Sequence, residues 1–431
     1  MRDNSGNESI AKDEGKCSNS CLPFVIWGAL SLFFFYQYIA RSSFITVLTN
    51  EYMRYFNIDA AGIGFLGSCY YFVYTCMQIP AGMIVDKFSN RLVATCAALI
   101  CSSGLFTLVS THHSEIAALG QVLIGLGSSF AFILLLKSIT NWFPSNKVAI
   151  MTAYSGSIGC LGPVLGGPAV AYITKSFDWL KVIECYCVFG VIIAAFIWFV
   201  VRDKDQSQGS DHEEEHVPPL KALKLIASSK TAWILGLFAL AQYGPLSALG
   251  DLWGVSFIKT AYGLNSETSA LVNNMLYLGF VIGGPIVAGI ASKIDSYKKP
   301  MIADCITEFV TLSLIIYCSD YINAVLLAVL FFFCGAGAGV QLVFPLSYTF
   351  FPKSISGTTS GFINSVCMLS GVILMPLVGK IISACWDGTM ANGSALYSIA
   401  DYRCGLSSVL IFLACGIVLS FFIEDKSPNA H

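Results

Sequence analysis

One arginine, Arg41, stands inside a segment that is otherwise apolar and aromatic. The segment reads 36 YQYIARSSFITVLTNEYMRYF 56. Because Gln37 and Tyr38 precede Arg41 by four and three residues, a helix places all three side chains on one face. An arginine at the centre of a membrane helix costs about 2.5–3.5 kcal/mol, so its side chain should face a water-filled cavity or a partner. We therefore expect this polar stripe to point inward, toward such a cavity or a partner, and not toward lipid.

The composition indicates whether the helix that carries this stripe lies in water or in a membrane. The chain has 431 residues, of which 55% are hydrophobic and 12% charged, and its mean hydropathy is +0.70. These values lie outside the range of soluble domains. Apolar windows of about 20 residues, long enough to cross about 30 Å of hydrocarbon, recur twelve times between residues 23 and 423. We predict an all-α membrane protein with twelve transmembrane helices.

The basic residues predict the orientation, because short loops rich in lysine and arginine stay in the cytoplasm. Of the 24 lysines and arginines, sixteen fall in segments that lie inside if both termini are cytoplasmic, and five fall in outer loops. The polar segment 1–22 lacks the features of a signal peptide, and we expect a disordered cytoplasmic tail. We predict an integral, multi-pass protein of a bacterial inner membrane, and the Asn392-Gly393-Ser394 sequon in an outer loop leaves a eukaryotic membrane as the alternative. A net charge of -2 without a basic patch argues against a nucleic-acid partner.

The longest polar segment within the chain divides the apolar part in two. It reads 202 RDKDQSQGSDHEEEHVPPLKALK 224. We predict a cytoplasmic linker over 202–231, between an N-terminal six-helix bundle at 23–201 and a C-terminal one at 232–423, with a cytoplasmic tail at 424–431. The segment 81 AGMIVDKFSNR 91 has a counterpart, 288 AGIASKIDSYK 298, at a constant offset of 207 residues. The halves are thus sequence repeats, as in many transporters.

The first of these segments resembles the inner loop after the second helix in the major facilitator superfamily. Gly82, Asp86, Lys87 and Arg91 match its G-x-x-x-D-[RK]-x-G-[RK]-[RK] pattern, whereas Ser89 and Asn90 stand at its second glycine and the basic position that follows. The stretches 120 GQVLIGLGSSFAFILLLKSITNWFP 144 and 159 GCLGPVLGGP 168 are similar to the family's motifs in the fourth and fifth helices. The resemblance covers residues 23–423. It implies two pseudo-symmetric six-helix bundles around a central cavity that opens to each side in turn.

The resemblance also implies a role for the inner loop. Gly82 lets two helices approach closely, and Asp86 accepts hydrogen bonds from a facing helix start or pairs with Lys87 or Arg91. Such a latch holds the inner side shut while the outer side is open. The alternative is a loop whose solvated charges set only the topology. Gln121 replaces the arginine of the family's fourth helix, so the proton-linked role of that arginine is not implied here.

Three interpretations of Arg41 remain open. The stretch from Tyr38 to Val47 resembles the first-helix Y-x-D-R-x-x-L-S-V pattern of the organic anion symporters, in which the arginine binds a substrate carboxylate. Alternatively, Arg41 pairs with Asp251, the one acidic residue in the cavity-forming helices that the resemblance implies, and the pair closes an outer gate. In the third interpretation, Arg41 is structural and reaches for the interface. Asp251 is also our candidate for a coupling proton site.

Other polar and aromatic side chains are expected on the inward faces, where amides and aromatic rings suit a small polar metabolite. Beyond Gln37, Tyr38 and Arg41, the predicted substrate-binding residues are Gln121, Ser128, Tyr243, Asn273, Asn274, Tyr277, Gln341 and Asn364. Each of these residue types also packs between helices without binding a ligand. Asp304 and Glu308 lie in the ninth span, which the family places at the periphery, and we expect them to pair near the inner surface.

Motifs of other function classes are absent from the sequence. It contains no G-x-x-x-x-G-K-[ST] segment of an ATP-driven pump, and no H-E-x-x-H or G-x-S-x-G motif of an intramembrane enzyme. We therefore predict no enzymatic activity, no cofactor, no metal site and no catalytic residue.

The leading interpretation is a secondary active transporter that works by alternating access and is coupled to an ion or a proton. Its solute would be small, polar and carboxylate-bearing, such as an organic anion, an amino acid or a short peptide. The alternatives are a drug or siderophore efflux antiporter and, from another class, a transport-inactive membrane receptor or sensor. The expected partners are the solute, protons and the lipid bilayer, and we expect a monomer.

Overall fold

A computed structural model of the chain describes residues 21–203, 218–336, 338–352, 355–391 and 394–426. Within them, twelve helices are long and apolar enough to cross a membrane. Spans 1–6 pack on one another, as do spans 7–12. The predicted fold, twelve helices in two six-helix bundles, is confirmed. In chain order the spans are Leu22–Val47, Ala60–Lys87, Asn90–Val109, Ser114–Trp142, Ser145–Ile173, Trp179–Val200, Lys230–Tyr262, Ser266–Ile294, Lys298–Tyr317, Ala324–Ser347, Ser356–Cys385 and Ile399–Phe422.

Side chains fix several helix starts at the outer end, which is the end opposite residues 21 and 426. Asp59 accepts a hydrogen bond from the backbone N–H of Gly62 at the start of span 2. Asn265 caps span 8 in the same way. Before span 12, Ser398 and Asp401 bond each other's backbone N–H groups. These caps satisfy backbone donors that lack a helical partner, so the sequence sets where these spans begin.

Spans 1 and 7, the first helices of the two bundles, each contain a widened turn. Span 1 is helical over Leu22–Tyr38, passes through a π-helical turn at Ile39–Ser43 and continues over Phe44–Val47. Span 7 has its π-helical segment at Leu246–Trp253, which begins at the position that the 207-residue offset predicts. Such turns frequently mark functional sites.

Spans 4 and 10, the fourth helices of the two bundles, are interrupted as well. Span 4 consists of Ser114–Ser128 and Ala131–Trp142. Span 10 is helical over Ala324–Ala336, forms a 3₁₀ turn at Gly339–Leu342 and ends with Val343–Ser347. Non-helical backbone at membrane depth is tolerated only inside protein or beside a water-filled cavity. The interruptions therefore indicate that both helices face the interior.

Shorter elements lie outside the spans in the described part of the chain. They include an outer helix, Thr49–Phe56, a helix within the predicted linker, Pro219–Ala227, and a 3₁₀ turn, Ser319–Tyr321. A small antiparallel hairpin pairs Met390–Ala391 with Ser394–Ala395, an addition to the all-α prediction. The predicted tail, except for its last two residues, and residues 204–217 and 427–431 of the predicted linker and C-terminal tail lie outside the described residues.

In both bundles, an aspartate accepts hydrogen bonds from the inner loop that follows the second helix of that bundle. In the N-terminal bundle, Asp203 accepts hydrogen bonds from Ser89 Oγ at 2.5 Å and from the next backbone N–H at 2.6 Å. In the C-terminal bundle, Asp425 accepts one from Ser296 Oγ at 2.7 Å and another from the backbone N–H two residues on, at 3.1 Å. Because Ser89 and Ser296 are partners in the sequence repeat, the repeat extends to hydrogen bonding.

The two bundles touch at their outer ends. A Cβ atom on Gly64 of span 2 would meet the backbone carbonyl of Met375 in span 11. Between spans 8 and 5, Asn274 donates a hydrogen bond to the backbone carbonyl of Pro163 at 2.6 Å. Backbone approaches of this kind leave no room for a solute, so the outer end is closed.

Toward the inner end the bundles separate. Past the middle of span 2, the Asn364 amide of span 11 still donates to Gln78 Oε1 at 3.3 Å. Further inward, glycines on spans 2, 5, 8 and 11 have no heavy atom of the described residues within 4 Å of the position a Cβ would take; they are Gly82, Gly156, Gly289, Gly357 and Gly361. The described residues therefore form an inward-facing conformation.

Candidate functional site

Arg41 and Asp251 form an ion pair between the two bundles. Arg41 Nη2 lies 3.2 Å from Asp251 Oδ2 and 3.3 Å from Oδ1. The two side chains are 4% and 1% exposed, so bulk water is excluded. Removing one partner of a buried pair leaves an uncompensated charge, which costs about 3–5 kcal/mol. The pair thus holds span 1 against span 7 in the outer half of the protein.

Tyrosine side chains surround this pair. The guanidinium carbon of Arg41 lies 4.5 Å from the ring centroid of Tyr38 and 5.6 Å from that of Tyr71, within the range of cation–π attraction. The hydroxyl groups of Tyr71 and Tyr277 donate hydrogen bonds to opposite oxygens of Asp251. The rings give the site apolar walls and the hydroxyls give it polar tips, a combination that suits a small polar ligand.

Arg41 keeps hydrogen-bonding capacity that the protein does not use. Its Nε is buried and has no partner among the described residues. A guanidinium offers five N–H donors in one plane, and two of them can bind both oxygens of a single carboxylate. Asp251, in contrast, receives hydrogen bonds on both oxygens. The site can therefore accept an additional anionic oxygen at Arg41, while Asp251 is already satisfied by its tyrosines.

The widened turns in spans 1 and 7 position both charged groups. Arg41 is the central residue of the turn Ile39–Ser43, and Asp251 lies in the segment Leu246–Trp253. Five residues beyond Arg41, the Thr46 hydroxyl lies 3.5 Å from the carbonyl preceding Asp251. The two turns thus face each other across the bundle interface, and the charges meet where each helix departs from regular geometry.

Several predicted substrate-binding residues lie around the pair. Tyr243 faces the guanidinium from span 7. Gln37 Oε1 accepts a hydrogen bond from the Tyr70 hydroxyl at 3.3 Å. Asn273 donates to the backbone carbonyl next to Asp251 at 3.1 Å, and it lines a small cavity between spans 1, 5, 7 and 8. Together with Tyr38 and Tyr277, these residues form a connected polar and aromatic site.

Other predicted residues have different surroundings. Asn274 and Asn364 bond across the bundle interface, to a carbonyl of span 5 and to an amide of span 2. The Ser128 hydroxyl lies 3.4 Å from a cysteine Sγ in span 3, and Gln341 donates to a carbonyl of span 8 at 3.3 Å. Gln121 is buried in span 4. Their substrate-binding role stays a prediction.

Residues 30–376 match the family model described as Major Facilitator Superfamily. The chain belongs to this superfamily. It is 25% identical over 395 residues to "Uncharacterized transporter YybO" of Bacillus subtilis (strain 168), covering 85% of this chain and 86% of that protein. It is 22% identical over 395 residues to "Probable galactarate/D-glucarate transporter GudP" of Escherichia coli (strain K12), covering 82% and 85%.

A solved structure shares the fold of this superfamily member. It is that of a bacterial homolog to the human lysosomal transporter Spinster, in an inward-facing and unoccupied conformation, with a TM-score of 0.79 at 15% identity over 94% of this chain and 98% of that chain. The protein is therefore an integral, multi-pass membrane transporter of the major facilitator superfamily, and transporters of this kind bind small-molecule substrates within the membrane.

The predicted latch of the transporter lies at the separated inner end. Gly82 has open space beside it. Lys87 Nζ lies 5.9 Å from the ring of the next residue, and the guanidinium of Arg91 lies 4.5 Å from a tryptophan ring of span 6. The side chain of Asp86 lies outside the described residues, so its predicted hydrogen bonds do too. The latch stays a prediction for the conformation in which the inner end is closed.

The carboxyl groups of span 9 are not where we expected them. Asp304 and Glu308 are each 7% exposed, inside the C-terminal bundle of the transporter. Asp304 accepts hydrogen bonds from Gln242 of span 7 and from the backbone N–H of Gly339. The expectation of a pair near the inner surface was wrong, because the interruption of span 10 supplies Asp304 with an interior hydrogen-bond donor.

The sequence interpretation missed the tyrosines of span 2. The stretch 68 SCYYFVYT 75 contains three of them, and helical spacing places Tyr70 and Tyr74 on one face. Their rings stack with centroids 5.7 Å apart, and Tyr71 donates to the Asp251 carboxylate. Three hydroxyl-bearing rings within five residues of a membrane helix were the available signal.

Proposed function

We propose that this superfamily member is a secondary active transporter that moves a small, carboxylate-bearing solute by alternating access, with Arg41 as the anchor of that carboxylate. The observation that carries the proposal is the buried guanidinium of Arg41 between the bundles, whose counter-charge is a carboxylate of the opposite bundle. A position that holds the carboxylate of Asp251 also suits the carboxylate of a solute, because the chemistry is the same.

Solute and Asp251 then compete for Arg41. In the inward-facing form, Asp251 neutralises the guanidinium and ties the bundles together at the outer end. A solute carboxylate arriving from the inner end takes over the N–H donors of Arg41, while Tyr71 and Tyr277 keep Asp251 hydrogen-bonded. Losing the ion pair lowers the free energy needed to part the outer ends. The anchor and gate interpretations of Arg41 become two steps of one cycle.

The name of a relative supports the solute class. Galactarate and D-glucarate, which the Escherichia coli relative is named for, are sugar acids with a carboxylate at each end. A guanidinium that binds both oxygens of a carboxylate suits such ends. We take from this relative the solute class, an organic anion, and no individual residue.

The proposal includes a place and an orientation. The transporter would lie in a bacterial inner membrane as a monomer, with both termini cytoplasmic, because most of its basic residues fall in the segments on that side. The inward-facing cavity would then open to the cytoplasm. Treatment of intact cells and of inverted vesicles with a protease, followed by detection of terminal tags, would test this orientation.

Uptake into proteoliposomes tests the solute. The panel contains labelled D-glucarate, galactarate, a monocarboxylate, an amino acid and a dipeptide, with uncharged galactitol as the matched solute without carboxylates. We expect accumulation of at least one carboxylate and none of galactitol. Arg41→Ala should lower this uptake at least about thirtyfold, since truncating one partner of a buried charge pair costs about 2–5 kcal/mol.

Two further variants sharpen the result. Arg41→Lys keeps the charge but loses the planar fork, so we expect partial uptake. Arg54→Ala is the matched control, because Arg54 pairs with Glu51 on the outer helix and its side chain is 45% exposed. Wild-type uptake by Arg41→Ala would contradict the proposed anchor. Uptake no higher than in empty liposomes for every carboxylate would contradict the proposed solute class.

A further inference from the structure

Span 9 carries two carboxyl groups that the proposed solute site does not use. Asp304 and Glu308 stand one helical turn apart, so they share a helix face. Both are almost fully buried, and Glu308 lies at the middle of the helix Lys298–Tyr317. Ionisable groups at this depth are costly to place in a membrane protein and commonly mark ion or proton pathways.

Asp304 connects three spans at the points where two of them are interrupted. Its Oδ2 accepts hydrogen bonds from Gln242 Nε2 and, at 2.6 Å, from the backbone N–H of Gly339. Gln242 is the last residue of the regular helix in span 7. Gly339 is the first residue of the 3₁₀ turn in span 10. A change at Asp304 therefore acts on the helix ends beside both breaks.

The described residues provide no cation to balance these carboxyls. Among the described residues, Asp304 is the one charged group that acts on Glu308, and no titratable side chain of spans 8 and 12 acts on either carboxyl. Two ionised carboxylates one turn apart, buried and without a cation, are disfavoured by mutual repulsion and by desolvation. The groups that face the pair are Gln242 from span 7, Cys305 from span 9, and Cys334 and the backbone N–H of Gly339 from span 10.

Two buried oxygens, one of a span 9 carboxyl and one of a neighbouring amide, lack a hydrogen-bond partner in the described part of the chain. They are Glu308 Oε2 and Gln242 Oε1, and Gln242 is 4% exposed. The Gln242 amide is bonded to Asp304 through its nitrogen, so its free oxygen stands beside that carboxyl. Buried acceptors without donors are rare and costly. Protonation of Glu308 removes the charge from its unpartnered oxygen, and a proton passed on to Asp304 makes that carboxyl a donor for Gln242 Oε1.

We propose that Asp304 and Glu308, and not Asp251, whose carboxylate is paired with Arg41, form the binding site of a co-transported proton, an inference that rests on the proposed transport function. The proton is taken from water as the O–H group of one carboxyl and returned to water later in the cycle. No other bond forms or breaks. Asp304, which accepts two hydrogen bonds, is the member suited to the ionised form, and Glu308, with its unpartnered oxygen, is the member that holds the proton first.

Gln242 connects the proton site to the solute anchor. It precedes the π-helical segment Leu246–Trp253, which holds Asp251. An ionised Asp304 accepts from the amide N–H of Gln242, whereas a protonated Asp304 donates to its Oε1, so the amide turns over as the proton moves. This reorientation changes what holds the helix end next to Asp251. Proton binding in span 9 thereby influences the ion pair that closes the outer end.

Infrared spectroscopy of the purified full-length protein tests the proton without any solute. Near neutral pH we expect a C=O stretching band of a protonated carboxyl group in the wild type. Glu308→Gln should remove this band and Asp304→Asn should shift it. Asp320→Asn, which changes an exposed carboxyl in the loop after span 9, should leave it unchanged. Absence of the band from the wild type, or a band unaltered in both span 9 variants, overturns the proposal.

Transport measurements separate this inference from the proposed function. Labelled D-glucarate serves as the probe. With a pH difference of one unit, one proton per solute supports about tenfold accumulation, because one pH unit corresponds to about 1.4 kcal/mol. We expect Glu308→Gln to lose this accumulation but still to exchange internal for external D-glucarate above the level of empty liposomes, because glutamine keeps the side chain uncharged. Wild-type protein that exchanges none of the labelled carboxylates contradicts the proposed solute class, whereas wild-type accumulation by Glu308→Gln contradicts the proton site alone.

A sodium gradient at equal pH on both sides serves as the control for the ion. We expect no accumulation of D-glucarate from this gradient in the wild type or in Glu308→Gln. Accumulation driven by sodium, and lost in Glu308→Gln, overturns the assignment of a proton to this site.

Discussion

The N-terminal and C-terminal bundles fasten their inner loops alike but carry different charges inside. In one bundle Ser89 donates to Asp203, and in the other Ser296 donates to Asp425. Both bundles also interrupt their first and fourth helices. The scaffold, including the residues that hold its loops, therefore follows the sequence repeat.

The interior charges do not follow the repeat. At the 207-residue offset, Asp304 and Glu308 of span 9 correspond to Ala97 and Cys101 of span 3, which are also buried. The N-terminal bundle presents a cation, Arg41, to the interface, and the C-terminal bundle presents the carboxylate of Asp251. An ion pair across the interface requires this asymmetry, since two identical bundles would place like charges against each other. Positions that differ between the two repeats thus indicate function, and positions that agree indicate the shared scaffold.

The largest effect is expected from removing Asp251, because the cation of the other bundle then has no counter-charge. Asp251→Ala leaves Arg41 buried without a counter-charge, so we expect the closed outer end to lose about 3–5 kcal/mol of stability. Hydrogen exchange measured by mass spectrometry should become faster in peptides covering 60–71 and 371–383. The double variant with Arg41→Ala removes both charges and should exchange more slowly than Asp251→Ala, because no charge is left buried without a partner. Exchange as slow as in the wild type for Asp251→Ala alone would argue against a closing role.

Substituting glycines at the two ends compares the closed outer contact with the open inner one. Gly64→Ala places a Cβ against the backbone carbonyl of Met375, which cannot move aside easily, whereas Gly361→Ala enters open space. We expect Gly64→Ala to destabilise the inward-facing form by about 1–3 kcal/mol. The thermal unfolding midpoint in detergent should fall for Gly64→Ala and stay or rise for Gly361→Ala. Equal midpoints for the two variants would refute the difference between the ends.

The hydrogen bonds that hold the inner loop of each bundle should contribute equally to stability. Asp203→Ala and Asp425→Ala each remove the acceptor of a serine hydroxyl and of a backbone N–H. We expect each to cost about 1 kcal/mol, near the net value of a partly exposed hydrogen-bonded group. Thermal unfolding of both variants checks this. A large effect in one bundle and none in the other would show that the scaffold is less symmetric than its hydrogen bonds.

The smallest effect is expected at an exposed ion pair between the bundles. Lys175 Nζ lies 2.7 Å from Glu267 Oε2, and the two side chains are 52% and 25% exposed. Exposed pairs contribute about 0–1 kcal/mol and are screened by salt. Lys175→Ala should leave hydrogen exchange of the outer peptides almost unchanged, with any difference disappearing at high salt. An effect as large as that of Asp251→Ala would show that the exposed pair, and not the buried one, closes the outer end.

The sequence predicted the twelve spans and the pairing option of Arg41 with Asp251 from simple constraints. Membrane thickness sets the length of each apolar window, and an arginine in such a window needs a partner or water. The widened turns at Ile39–Ser43 and Leu246–Trp253 were not predictable, because they depend on packing between helices that are far apart in the sequence. The hydrogen bonds of Asp304 were missed for the same reason, since one donor comes from the interruption of span 10.

Uptake of labelled carboxylates by the double variant Arg41→Ala with Asp251→Ala tests the central claim most directly. This variant has no unpaired charge, so a loss of uptake cannot be attributed to a buried charge left alone. We predict uptake no higher than in empty liposomes, because the solute carboxylate has lost its anchor. Recovery of wild-type uptake would contradict the claim and would leave Arg41 with a gating role only.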